Sequence, residues 1–184
     1  TDTTPTIVKP GDEIVDETNL ANGNVVETGT ITADFKDDGP GSFGGTGTFT
    51  SGGSKLNGAL TSGGVPVTVT LNGNTYTGKA GDVTVFTLVI GTDGKYTFTL
   101  NEQLDHADGS NPDDIIDLNF GVKATDADGD SASTTLTIKV KDDAPIANDD
   151  AVSLNENNTA TGSVTANDVK GQDLPATVTK VSFN

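Results

Sequence analysis

The sequence predicts an all-β chain, folded as an antiparallel two-sheet β-sandwich and built as a tandem repeat. Three observations predict it. Apolar and polar residues alternate through Ile116, Leu118, Phe120, Val122 and Ala124, and again through Ala132, Thr134, Leu136, Ile138 and Val140. That period of two is the mark of half-buried strands, and similar runs recur along the chain without any convincing helical periodicity. The end of the chain also repeats the order of motifs found at its beginning.

Taken in order, Thr1 to Pro10 reads as a linker, because Pro5 and Pro10 interrupt regular pairing. Gly11 to Asn24 follows and carries Asp12, Glu13, Asp16 and Glu17. Val25 to Phe35 is strand-like, and Lys36-Asp37-Asp38-Gly39-Pro40-Gly41 reads as a plain turn. Residues 42–64 are mostly Gly, Ser and Thr around Phe43, Phe49, Leu56 and Leu60, which suggests short or edge strands and loops.

Val65 to Leu71 sets Val65, Val67, Val69 and Leu71 on one face and threonines on the other. Asn72-Gly73 then signals a hairpin into Thr75 to Lys79. Val83 to Ile90 is a strand, Asp93-Gly94 a turn, and Lys95 to Leu100 a strand that buries Tyr96, Phe98 and Leu100. Asn101 to Asp114 is a long acidic loop leading into the two strands named first. Within it, His106 reads as a hydrogen-bonding turn residue, and Asp113-Asp114 as either a solvated cap or a ligand pair.

Between those two strands lies Ala124-Thr125-Asp126-Ala127-Asp128-Gly129-Asp130-Ser131. An ordinary hairpin needs one Asp-Gly, not three aspartates around it. Carboxylates at every second position, with a glycine that lets the backbone bend, suit a hard cation held by oxygens. Without such an ion, like charges at that spacing repel one another. The pattern is not an EF-hand, since the glycine comes fourth, no glutamate stands twelfth, and strands flank it. Calcium fits better than magnesium, which keeps its water.

Composition narrows the function. Among 184 residues, Asp and Glu number 27 against 10 Lys and Arg, a formal charge of -17. Nucleic acid and anionic membranes are therefore poor partners. There is no Cys, no Met and no Trp, and His106 is the single histidine, which excludes disulfides, thiolate catalysis and the usual zinc sites. No stretch reaches the length of a membrane span, so no membrane insertion is expected. A chain rich in Thr, Gly, Asp, Asn and Val without cystine reads as an extracellular β-protein stiffened by something else, and calcium is the candidate. Because the chain opens at Thr1, it reads as a piece of a larger protein.

The repetition is specific. Thr161-Gly162-Ser163-Val164-Thr165-Ala166-Asn167 mirrors Thr28-Gly29-Thr30-Ile31-Thr32-Ala33-Asp34. Likewise Asn155-Glu156-Asn157-Asn158 echoes Asp16-Glu17-Thr18-Asn19, and Asp142-Asp143-Ala144-Pro145 echoes Asp2-Thr3-Thr4-Pro5. The expected division is a calcium-binding sandwich repeat over 1–143, then a linker and the truncated start of the next repeat over 144–184. Asp149-Asp150 reads as linker solvation or as a ligand for that next module.

Most of the chain resembles the repeat modules of giant type I-secreted bacterial adhesins, the RTX-type surface proteins with cadherin-like or bacterial Ig-like extender domains. The residues that carry the resemblance are Tyr96-Thr97-Phe98-Thr99-Leu100, Leu104-Asp105-His106, Ala124 to Asp130 and Asp142-Asp143-Ala144-Pro145. The last segment is similar to the start of a VCBS-type repeat. The resemblance implies a calcium-rigidified, Ig/cadherin-like β-sandwich at the bacterial cell surface, spacing ligand-binding domains away from the cell. Ser131 to Lys141 at strand rise is about 35 Å long, so the central turn and Asp142-Asp143 cannot share an ion.

Chain direction puts the turn at the pole where the module begins, and Asp142 and Asp143 at the other pole with the 101–114 loop. By the cadherin comparison Asp126 and Asp128 match its Asp-Ala-Asp motif, with Asp2 as their linker partner and Asp130 completing the turn. Asp105 resembles part of a Leu-Asp-Arg-Glu motif whose last two residues are replaced by His106 and Ala107. Glu17 resembles the glutamate near the end of the first cadherin strand and joins the far pole. The expected metal ligands are therefore Asp2, Glu17, Asp105, Asp126, Asp128, Asp130, Asp142 and Asp143.

Two other functions are compatible with a chain of this kind to differing degrees. A calcium-dependent carbohydrate- or ligand-binding sandwich would contact its ligand through the 42–64 loops, but needs exposed aromatic platforms; the chain has two Tyr and seven Phe, mostly in strand alternation. An enzyme is disfavoured by the lack of Cys, the single His and the lack of a Gly-x-Ser-x-Gly elbow, and every carboxylate cluster falls in a turn or linker. The expected partners are neighbouring repeats of the same polypeptide, with the fragment itself monomeric.

Overall fold

A computed structural model describes residues 2–108, 111–143, 148–153, 156 and 158–168. Twelve strands and two short 3-10 segments are present among them. The strands are β1 Thr6–Ile7, β2 Glu13–Asp16, β3 Val25–Thr30, β4 Ala33–Asp34, β5 Ser42–Gly53 and β6 Thr61–Ser62. They continue as β7 Val65–Asn72, β8 Thr75–Ala80, β9 Val83–Ile90, β10 Lys95–Leu100, β11 Ile115–Thr125 and β12 Ser131–Lys141. The alternating runs thus became strands close to the expected bounds.

Two sheets make the sandwich. One has six strands in the order β3-β10-β9-β8-β7-β6, the other four in the order β2-β12-β11-β5. All neighbours are antiparallel except β2, which runs parallel to β12 and pairs Val15 with Val140. β11 and β12 form one continuous hairpin from Ile115↔Lys141 to Thr125↔Ser131, which makes the acidic stretch between them its tip.

The inward residues of both sheets meet in a single core. Ile116, Leu118, Phe120, Val122 and Ala124 are fully buried, as are Leu136, Ile138, Val140, Phe98 and Leu100. Phe120 lies at the centre, with ring centroids of Phe49, Tyr76, Phe86 and Phe98 at 5.2, 5.3, 5.9 and 6.2 Å. Burial of such large apolar side chains is the dominant favourable contribution to a fold of this kind.

Two expectations need correction. Residues 42–64 contain a twelve-residue edge strand, β5, rather than only short strands and loops. Its glycines mask the strand period and are required by packing: a Cβ on Gly45 would meet the Tyr76 ring at 2.8 Å and Leu71 at 2.9 Å. The missing side chains let the other sheet pack directly on the β5 backbone. The segment before Pro10 also pairs, Thr6 with Asp34 and Ile7 with Ala33, because two residues between the prolines suffice for one short ladder.

In the expected second copy, Thr161 to Asn167 forms turns and no strand; Asn148 Nδ2 donates to the Asn167 carbonyl at 2.6 Å and the Asn148 amide to Asp168 at 2.8 Å. Ala144, Pro145, Asn155, Asn157 and residues 169–184 lie outside the described residues. Among the described residues no helix is long and apolar enough to cross a membrane.

Candidate metal centre

The hairpin tip is held by its own first aspartate. The Asp126 amide donates to the Asp130 carbonyl at 3.0 Å, and the Gly129 amide donates to Asp126 Oδ1 at 3.0 Å. Gly129 has φ +109°, a conformation that explains the glycine at this position. These bonds turn the three carboxylates together: one oxygen each from Asp126, Asp128 and Asp130 lies within 4.8 Å of the others.

Asp126 is buried, and its Oδ2 has no hydrogen-bond partner. Burial first, and then the neighbouring Asp128, hold its carboxyl above the ordinary carboxylate range. An oxygen withdrawn from water without a partner is costly, and a bound cation removes that cost.

Asp2 and Asp38 complete a second constellation with Asp128, again within 4.8 Å. Asp38 enters because the 36–39 turn abuts the hairpin tip, its carbonyl accepting from the Ala127 amide at 3.3 Å. Its Oδ2 also accepts from the Thr3 amide at 2.8 Å and the Thr3 hydroxyl at 2.6 Å. The segment before the sandwich is thereby tied to the turn that the sequence reading treated as plain. The only hint in the sequence was a pair of acids before Gly39 and Pro40.

The opposite pole gathers Glu17, His106 and Asp142, all buried, with one ligand atom each inside 4.8 Å. Glu17 stands where β2 passes into a 3-10 segment, Glu17–Asn22. Its Oε1 accepts from the Leu104 amide at 2.8 Å, and its Oε2 lies 3.6 Å from His106 Nε2. Asp142 follows β12 directly, its amide donating to the Asp114 carbonyl at 2.9 Å. Asp143 is buried beside it in sequence.

His106, read as a turn residue, is a buried member of this group, paired through its backbone with Lys55. Asp105 sits apart from it: its two oxygens accept from the Gly63 and Gly64 amides at 2.9 and 2.8 Å. Asp114 accepts from the Ser54 hydroxyl at 2.7 Å and the Asp108 amide at 3.0 Å, which makes it a loop cap. Asp113 pairs with Lys141 at 3.2 Å. Asp149 and Asp150 are exposed.

The clusters thus fall at the two ends of β12. Among the described residues no further group of three His, Cys, Asp or Glu side chains meets the same spacing. No curated protein and no solved structure matches the chain. The family described as a domain of unknown function (DUF5801) matches residues 13–139, from β2 to near the end of β12. Since that match spans more than half of its residues, the chain belongs to the domain of unknown function family DUF5801.

Proposed function

We propose that the chain is a calcium-rigidified structural spacer, an extender module of a bacterial cell-surface adhesin that serves adhesion and biofilm formation. One observation carries the calcium part: Asp126 Oδ2 is buried without a hydrogen-bond partner in a turn that also converges Asp128 and Asp130. Calcium accepts six to eight oxygen ligands in adaptable geometry, about 2.3–2.6 Å away. Carboxylates, turn carbonyls and water at a hairpin tip supply such a set.

Rigidity follows from Asp2, Asp38 and Asp128. An ion among them links the incoming segment, a separate turn and the hairpin tip. Neighbouring repeats of the same polypeptide are the partners this arrangement would hold in line. A sugar-binding reading needs exposed rings, and every aromatic side chain among the described residues is buried or half-buried.

The test is a thermal melt in excess EGTA, then with calcium, then with magnesium. Calcium at about 100 times its Kd should add about 2.7 kcal/mol of stability by mass action. A melting temperature that calcium does not raise above the EGTA value would leave the acids as solvated turns and overturn the reading.

A further inference from the structure

We infer that Glu17, His106 and Asp142 form a second metal site of different chemistry, one that takes a borderline divalent transition cation, zinc foremost, in preference to calcium. The inference goes beyond the calcium reading and does not depend on it.

Donor type comes first. The hairpin-tip clusters offer oxygen only, from Asp2, Asp38, Asp126, Asp128 and Asp130. The opposite cluster groups an imidazole nitrogen with two carboxylates. Imidazole suits zinc, copper, iron and nickel, whereas calcium is held by oxygens. A histidine among the donors therefore selects against calcium.

Geometry agrees. The Leu104 amide fixes one Glu17 oxygen, which leaves Oε2 facing His106 Nε2 at 3.6 Å. That separation is an ion-pair distance. It is close to the roughly 3.3 Å that separates two ligands on a tetrahedral ion with bonds of about 2.0–2.1 Å. The third ligand, Asp142, reaches the same point from the end of β12.

Burial is the third observation, and it separates this group from a surface acidic cluster. Glu17 is 0% exposed, Asp142 1% and His106 5%. An ion here gives up most of its water, so the protein donors decide which ion is accepted. A zinc ion would join the start of the Glu17–Asn22 segment, the 101–108 loop and the end of β12.

His106 is the single histidine, which makes the test direct. The ring nitrogens of the whole 184-residue chain would be followed by NMR, first with calcium and then with one equivalent of zinc in the calcium-saturated protein. Zinc should shift one His106 nitrogen strongly and raise the melting temperature further, while calcium leaves the ring unmoved. An imidazole unaffected by zinc overturns the proposal, as does zinc displaced by millimolar calcium. His106→Gln should weaken zinc binding at least about tenfold; a folded variant that keeps its affinity also overturns it. If that variant does not fold, the wild-type spectra decide alone.

Discussion

The Tyr76 hydroxyl, on β8 of the six-stranded sheet, donates to the Gly121 carbonyl on β11 of the four-stranded sheet at 2.6 Å. It also accepts from the Gly47 amide of β5 at 2.9 Å. Both backbone groups lie where the β11–β5 register shifts between Phe120 and Val122, so neither is served by a regular ladder. Tyr76→Phe leaves the buried Gly121 carbonyl without this donor and the Gly47 amide, at an exposed position, without this acceptor. Urea denaturation should show a loss of about 1–3 kcal/mol with the β-sheet circular dichroism unchanged; an unchanged midpoint would mean another group takes over both bonds.

Phe120 is the ring around which the aromatic core is arranged, touching Phe49, Tyr76, Phe86 and Phe98. Phe120→Ala opens a cavity between both sheets. The expected cost is about 3–5 kcal/mol, read from the same denaturation curves. Val26→Ala, at an exposed site of β3, should stay within about 0.5 kcal/mol of wild type.

Gly94 has φ +86°, and a Cβ there would strike the Ile31 carbonyl oxygen. The clash is with backbone, which cannot swing aside. Gly94→Ala should cost at least about 1–3 kcal/mol, measured by melting temperature, and should do so equally with calcium and with EGTA.

Asp126→Asn separates charge from turn geometry. An amide side chain can still accept from Gly129, as Asp126 Oδ1 does at 3.0 Å, but carries no charge against Asp128. In EGTA the variant should melt at or above wild type. With calcium its stabilisation should fall by most of the wild-type gain. A variant that melts lower in EGTA and keeps the full calcium response would contradict the assignment of Asp126.

Acid titration offers a check with opposite signs. Hydrogen bonds from the Lys36 and Lys95 amides are the first cause lowering Asp34 and Asp93 below their ordinary 3.8. A lowered carboxyl contributes stability above its unfolded pKa and loses it as pH falls through the folded one. Asp126, raised first by burial, behaves inversely in the ion-free protein: its contribution is present below the unfolded pKa and lost as pH rises through the folded value. Carbon-detected titration in EGTA should place Asp34 and Asp93 below 3.8 and Asp126 above it. Coincident midpoints would remove the electrostatic account of the hairpin tip.

What the sequence determined by itself was local. Alternation set β9 and β10 to the residue, and the three aspartates around Gly129 marked the hairpin tip. Strand length separated the two poles before any contact was known. Tertiary structure decided what one-dimensional spacing does not hold.

Asp38 reaches Asp128 across 90 positions of sequence because two turns abut, and Glu17 meets Asp142 because β2 lies beside β12. Asp105 resembles a ligand by its neighbours in sequence, and only the fold brings its two oxygens to the Gly63 and Gly64 amides. The glycines of β5 read as loop until the Tyr76 ring and Leu71 packed against them. Period and turn chemistry act between adjacent residues and are written in order along the chain. Ligand convergence and close backbone approach arise only when distant segments pack, and packing is a property of the two sheets together.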